Sequence, residues 1–154
     1  MIHKIGKFLF GAKWRADPEP SIIEETFNGI YESNHWGNLE SVSGAGSTLN
    51  YTKNLRKHLP ELLAKYNVQT IFDAPSGDFN WMADVLRKAP LNYIGGEIVL
   101  DLVRNNTSRY ASNTIQFVHF DITKQKFPKA DLWLCRDCLF HFPFADIKKA
   151  LEQF

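Results

Sequence analysis

The 154-residue sequence carries almost no net charge, with 18 basic residues against 17 acidic ones. That balance gives no electrostatic argument for nucleic acid or an anionic membrane as a general partner. Cysteine is nearly absent. Cys135 and Cys138 alone are too few for a disulfide scaffold and suit a reducing compartment, so the expected location is cytoplasmic. No apolar run is long enough for a signal-peptide core or a membrane span, because Lys4 and Lys7 interrupt the N-terminal MIHKIGKFLFGAKWR. Ile2, Ile5 and Leu9 share a helical face there, which reads as a lid, a docking arm or a basic surface helix without stable membrane insertion. Glycine is scarce where a nucleotide loop would need it. TIFDAPSGDFNWM, residues 70–82, has the form of a strand, a turn and a helix, yet it holds only Gly77. A dinucleotide site uses several glycines so that backbone can approach a pyrophosphate, so the shortage argues against NAD.

What is present is an ordinary globular composition with 12 phenylalanines and 4 tryptophans, enough for a well-filled core in one domain. RADPEP, residues 15–20, is a breaker-rich linker. SIIEETFNGIYES follows as a short helix, with Ser21 as N-cap and Glu24 at the capping-box position. NHWGNLESVSGAGSTLN, residues 34–50, is polar and reads as a long loop. YTKNLRKHLPELLAKYN is helical, with Leu55, Leu59, Leu62 and Tyr66 assigned to one face and Pro60 expected to kink or restart it. From Val68 on, strands alternate with helices: VQTIFD, LNYIGGEI, IQFVHFDI and ADLWLCRDCLF as strands, with FNWMADVLRKA, VLDLVRNNTSRYA and FADIKKALEQF as helices. Phe79, Met82, Leu86 and Ala89 share the apolar face of the first of these helices. Such alternation implies right-handed crossovers and a parallel sheet covered on both faces, an α/β fold.

Ligands of open parallel sheets bind at the carboxyl ends of the strands. Here the first three strands are expected to end in carboxylates, Asp73, Glu97 and Asp121, and the fourth in Arg136 and Asp137. The three acids are either separate turn caps or one site. As a site they suit a nucleoside. A carboxylate about twenty residues beyond the loop accepts from ribose hydroxyls, and Asp121, flanked by Phe120 and Ile122, can accept from an exocyclic amine.

The ordered set FDAPSGDFNWM, YIGGEIV, VHFDIT and DLWLCRDCLFHFP resembles the class I S-adenosylmethionine-dependent methyltransferases. It is most similar to a bacterial subgroup with W-G and S-G-x-G-S segments ahead of the first strand, matched by Trp36-Gly37 and Ser43-Gly44-Ala45-Gly46-Ser47. The likeness runs from Asn34 to the C-terminus. It departs at Pro75 and Phe79, which stand where the family often has glycine. The resemblance implies a Rossmann-like methyltransferase fold with strand order 3-2-1-4 and further C-terminal strands missing. It also implies an N-terminal arm and lid over residues 1–50 and a cofactor-binding domain over 51–154. S-adenosyl-L-methionine is the implied cofactor. Its implied contacts are Trp36, Ser43, Gly44 and Ser47 from the lid, Asp73, Ala74, Pro75, Ser76, Gly77 and Trp81 around the first turn, and Glu97, Ile98, Asp121, Ile122 and Arg136 beyond. S-adenosylmethionine has no phosphate and carries positive charge, so carboxylates suit it and one glycine can suffice.

His141, just past the fourth strand and beside Asp137, is either a general base near the transferred methyl or a histidine hydrogen-bonded within its own turn. Asp137 and His141 form the catalytic candidate pair. The Asn/Asp-Pro-Pro-aromatic motif of amino-directed nucleic-acid methyltransferases is absent, so the expected acceptor is a small molecule. Cys135-Arg-Asp-Cys138 lacks the further ligands a zinc site needs, and Cys135 falls in a run that reads as buried strand, against a redox pair; no metal is expected. Thr48 and Asn50 join Trp36 as lid candidates, and Arg56 and Lys57 read as a solvated helix face. A non-catalytic cofactor-binding module and a nicotinamide-dependent reductase are the alternative functions. The apolar fourth strand, lacking edge-protecting lysine or proline, leads to an expectation of a homo-oligomer or of a fragment of a longer protein.

Overall fold

The computed structural model describes residues 21–154, so the N-terminal amphipathic segment and the 15–20 linker lie outside the described residues. The described elements are α1 (Ile22–Glu32), α2 (Lys53–Lys65), β1 (Thr70–Asp73), α3 (Met82–Lys88), β2 (Asn92–Glu97), α4 (Leu100–Tyr110), β3 (Ile115–His119), β4 (Leu132–Leu134) and α5 (Phe144–Gln153), with 3-10 turns at Ala45–Ser47 and Leu139–His141. The four strands form a parallel sheet in the order β3-β2-β1-β4; the alternating pattern implied the parallel sheet, and the family resemblance implied this Rossmann-like order. Phe72 stands opposite Ile94 and Trp133, and Ile71 opposite Tyr93 and Leu132.

Alternation along the strands sorts these side chains onto two faces. Ile71, Tyr93 and Phe117 meet Leu59 and Leu63 of α2, Met82, Val85 and Leu86 of α3, and Val103 of α4. On the other face, Phe72 packs with Phe120, Ile122, Cys138 and Ala150 of α5. The phenylalanine richness of the sequence is spent here: Phe79 contacts Tyr93, Tyr110 and Phe117, and Phe127 joins Phe72, Phe120 and Trp133. The glycines of β2 make room for this packing. A Cβ at Gly95 would approach the Phe117 ring to 2.7 Å.

Several boundaries differ from the sequence reading. The inward stripe of α2 is the partly buried Leu55 and the buried Leu59 and Leu63, spaced four residues apart, whereas Leu62 and Tyr66 are 50% and 66% exposed. The helix is rotated to set that stripe against α3, and it continues through Pro60. Helix α3 begins at Met82 rather than Phe79, because Phe79 takes a left-handed φ of 60° to drop its ring into the core. β4 is only three residues long. Among the described residues it pairs with β1 alone, and Asp137 (φ 50°) turns the chain away into the 3-10 turn. β3 ends at His119, so Asp121 sits two residues past the strand. Ser21 caps α1 as expected, accepting from the Glu24 N–H at 3.1 Å, but the Glu24 carboxylate reaches His119 Nε2 at 3.1 Å. Arg56 is not solvated. It is held by Asp84, the Leu49 carbonyl and Thr52, while Lys57 is exposed.

The rotated stripe has a direct test. Leu63→Ala should cost about 2–5 kcal/mol by emptying the α2–sheet interface, and Leu62→Ala should stay within about 0.5 kcal/mol of the parent. Chemical denaturation of both variants measures the difference; equal losses would mean that α2 presents the other face.

Candidate active site

The carboxyl ends of β1, β2 and β4 open into a cavity of about 440 Å³. Its floor is the turn after β1. Asp73 closes the strand, the Ala74–Pro75 peptide is cis, and Gly77 takes φ 55°. Four neighbours hold this turn in place. Glu97 Oε2 accepts from the Gly77 N–H at 2.9 Å, Asn106 Nδ2 donates to the Gly77 carbonyl at 2.8 Å, the Ser76 N–H reaches the Gly96 carbonyl at 2.9 Å, and Ser43 Oγ accepts from the Asp78 N–H at 3.1 Å. A Cβ on Gly77 would collide with Ser43 Oγ, so glycine is needed both for the positive φ and for the approach of the 36–50 loop.

That loop forms a wall. Val42 N–H donates to Asp78 Oδ2 at 3.0 Å, and Asn80 Nδ2 donates to Glu40 Oε1 at 2.9 Å and to the Ser47 carbonyl at 3.1 Å. Gly44, at φ 89°, lies against the Trp36 side chain. Across the cavity, Arg136 Nη2 donates to the Gly46 carbonyl at 2.8 Å, pairs with Asp137 Oδ2 at 2.7 Å, and lies over the rings of Tyr51 and Trp81.

Two buried carboxylates face this space. Burial pushes Asp73 up to about 7; the nearby Glu97 charge adds to the rise, and the Tyr93 hydroxyl, donating at 2.7 Å, and Arg136 oppose it. Burial likewise raises Glu97, offset in part by N–H donors from Val99, Gly77 and Ile98. Oε1 accepts from Ile98 and Val99 at 2.8 and 3.1 Å and so caps the start of α4, while among the described residues Oε2 accepts only from Gly77. A carboxylate offers about four lone-pair sites, so Glu97 retains one acceptor position, on Oε2. Ser76 Oγ is buried without a hydrogen-bond partner among the described residues, on a side chain that lines the cavity. An orphaned buried hydroxyl costs about 1–3 kcal/mol, which a polar ligand can recover.

The sequence-selected residues divide into three groups. Trp36, Ser43, Gly44, Ser47, Asp73, Pro75, Ser76, Gly77, Trp81, Glu97, Arg136, Asp137 and His141 all line the main cavity. Ile98, Asp121 and Ile122, again with Pro75, line a separate slot of only about 30 Å³. Phe27 of α1 and Phe142 narrow that slot, their ring centroids 5.9 Å apart. Asp121 is engaged there as a turn cap: Oδ1 accepts from Thr123 N–H and Oγ1, and Oδ2 from Ser21 Oγ at 3.2 Å. Ala74 lines neither space; its backbone N–H goes to Leu134 and its carbonyl accepts from Trp133 Nε1. Thr48 and Asn50 likewise stay off the cavity wall. The His141 ring lies on the rim, 5.2 Å from Trp36 and 4.3 Å from Phe140. Among the described residues no cluster of His, Cys, Asp and Glu could hold a metal, and no helix is long and apolar enough to cross a membrane.

Sequence reasoning missed the roof. Phe27, Ile30 and Tyr31 of α1, Val99 at the N-cap of α4 and Leu102 within it line the cavity as well. The i, i+3, i+4 spacing of the α1 residues carried a signal, but their amphipathic face names no partner until the helix is docked.

Solved structures with a similar fold include S-adenosylmethionine-dependent methyltransferases. A methyltransferase of that kind from Clostridium acetobutylicum aligns with TM-score 0.55 at 16% identity, over 85% of this chain and 51% of its own. An amino pentose methyltransferase from Micromonospora echinaspora, solved with S-adenosylmethionine bound, aligns with TM-score 0.54 at 10% identity, over 90% and 52%. Human N-acetylserotonin methyltransferase, in complex with the same molecule, aligns with TM-score 0.50 at 14% identity, over 80% and 39%. The chain therefore spans about two-fifths to one-half of the lengths of these proteins, and the likeness is one of fold. No protein-family model matches the chain, and no curated protein matches it in sequence.

The weakened acidity of Asp73 has a measurable consequence. Its folded value, about 7, lies above the unfolded value of about 3.9. The native state therefore binds more protons between these limits, and this group lowers stability as pH rises from about 4 to about 7. Asp73→Asn should flatten that part of the stability–pH profile, read by denaturation at a series of pH values. An unaltered slope would mean that Asp73 is ionised in the folded protein across the whole range.

Proposed function

We propose that the chain binds S-adenosyl-L-methionine and serves methyl transfer to a small-molecule acceptor. The observation that carries this reading is the pair of buried carboxylates, Asp73 and Glu97, converging on a cavity that also holds the orphan Ser76 hydroxyl. These groups need a ligand with a cationic group and hydroxyls, and the methyltransferase fold supplies the precedent for which one. The donor set fits the amino-acid and ribose portions. Asp73 would face the ammonium group, the free position on Glu97 Oε2 one ribose hydroxyl, and Ser76 a polar atom of the tail. The slot along Pro75, Ile98 and Ile122 has the apolar lining that a base requires, and Phe27 has to move to widen it.

S-adenosylmethionine, when bound, supplies an electrophilic methyl on a sulfonium, and transfer needs chiefly in-line alignment of the acceptor. This chain's residues would provide that alignment. Trp36, Tyr31 and Phe140 wall the approach, and the ion pair of Arg136 with Asp137 fixes the rim. His141, at the same rim, is the group available to take a proton from a hydroxyl acceptor. The neutral overall charge and the aromatic walls favour a small molecule over nucleic acid as acceptor.

Binding should be coupled to proton release. A cationic group set against Asp73 favours its ionised form, so near pH 6 S-adenosylhomocysteine should displace up to about one proton. Titration calorimetry in buffers of different ionisation enthalpy reads this directly, with NAD as the control that should not bind. Saturable NAD binding without a response to the adenosyl ligand would overturn the assignment.

Once an acceptor is found, His141→Ala should lower turnover about 10²-fold or more, the usual scale of general acid–base catalysis, with cofactor affinity nearly unchanged. Equal loss of affinity and turnover would make His141 a wall residue alone.

A further inference from the structure

A cluster of positive charge stands on one outer surface, although the chain as a whole is nearly neutral. Lys53, Arg56 and Lys57 come from α2, and Arg87 and Lys88 from the end of α3. Between the two helices lies an open cleft of about 630 Å³, distinct from the cavity at the strand ends. Lys53, Asn54, Arg56, Lys57 and Lys88 line it, and among the described residues no acid does. Net charge hides this patch, because most of the acids that balance it lie elsewhere on the chain.

The acid beside the cleft is already committed. Asp84 Oδ2 accepts from Arg56 and from Lys88 Nζ at 2.7 Å, and Oδ1 from Arg87 at 2.8 Å. One carboxylate thus serves three cations. Glu61, one turn beyond Lys57, lies against His58 at 3.5 Å instead. Lys53 and Lys57 have no hydrogen-bond or ion-pair partner among the described residues. They stand one turn apart on the same helix face, where like charges repel. Arg56 is held from behind: its side chain is only 17% exposed, with Nε on Thr52 Oγ1 at 3.2 Å and Nη2 on the Leu49 carbonyl at 2.7 Å. A guanidinium has five N–H donors and an ammonium three, so Arg56 retains two and Lys88 two, besides all six of Lys53 and Lys57.

A cleft with this lining suits a ligand rich in negatively charged oxygens, since hydrogen bonds between ionised partners are the strong ones. A phosphoryl group presents three acceptor oxygens and nearly two charges, enough to engage several of these cations at once. We propose that the cleft between α2 and α3 is a binding site for a phosphate-class oxyanion, the phosphoryl group of either a free phosphate compound or a lipid headgroup. Lys53 and Lys57 supply the unpaired charge, and Arg56 and Lys88 supply donors fixed by Asp84. The site lies outside the cavity assigned to S-adenosylmethionine and does not depend on that reading. Through the bond of Arg56 to Leu49 it adjoins the outer end of the 36–50 wall.

The test is titration calorimetry of the full 154-residue chain with inorganic pyrophosphate. Ionic strength is held at about 0.15 M, where charges more than about 8 Å apart are largely screened. The expected result is one saturable site, with amide NMR shifts confined to residues 53–57 and 84–88. Lys53→Gln with Lys57→Gln should weaken binding at least tenfold. Lys126→Gln with Lys129→Gln removes the same charge from exposed positions outside the cleft and should leave affinity within twofold. If the first pair of changes prevents folding, Lys57→Gln alone, with a loss of at least threefold, and the amide shifts decide. Co-sedimentation with phosphatidylcholine vesicles containing about one-fifth phosphatidic acid distinguishes the two sources. Capture by these but not by pure phosphatidylcholine, lost with Lys53 and Lys57, assigns a lipid headgroup; pyrophosphate binding without capture assigns a free phosphate compound. No saturable binding in either arm, equal losses in both double variants, or shifts scattered away from the cleft would each overturn the proposal.

Discussion

The grip of the Glu97 carboxylate on its surroundings is the constraint on which the rest of the site depends. One oxygen caps α4 through Ile98 and Val99, and the other holds the Gly77 N–H of the turn after β1. A single side chain at the end of β2 thus ties a strand, a helix start and the neighbouring turn together. Burial makes its charge costly, and only these charge-assisted hydrogen bonds make it tolerable. Because they leave one acceptor position toward the cavity, the group that builds the site is also one that can read a ligand.

The second level of organisation is polar. The 36–50 loop has little regular structure of its own, yet Glu40, Ser43 and Val42 pin it to Asp78 and Asn80. Its position is therefore set by hydrogen bonds to the turn that Glu97 and Asn106 hold. Arg136 closes the ring from the β4 side through the Gly46 carbonyl. The wall, the turn and the β4 rim behave as one hydrogen-bonded unit, and a change at any of them reaches the cavity. Helix α1 adds the roof from outside this unit, tied by Ser21 to Asp121, Glu24 to His119 and Tyr31 to Asn105.

Asp73 shows how the fold creates chemistry that composition does not display. In the sequence it is one acid among 17. In the fold it is desolvated beneath the sheet edge, bonded to the Tyr93 hydroxyl and set near a second buried acid. A cavity that contains such a pair but admits a ligand favours positive charge, although the protein as a whole is nearly neutral.

The alternation of apolar strands with amphipathic helices determined the α/β class and the parallel sheet, because burial on both faces requires that pattern and few connections satisfy it. The acids at the strand ends and the single glycine of the first turn were equally legible, since their chemistry is local. What the sequence could not determine was rotation, depth and partnership. Leu62 and Leu63 are indistinguishable as residues, and only the docking of α2 on α3 decides which is buried. Asp121 has the same chemistry as Asp73, but its place beyond β3 makes it a cap in a narrow slot rather than a wall of the main cavity. Phe27 and Tyr31 enter the site from a helix about 40 residues upstream of β1. Cys135, read as a strand residue, lies just past the end of β4. Local propensity cannot specify such long-range placements, because the free energy that fixes them comes from packing and hydrogen bonds between segments distant in the chain.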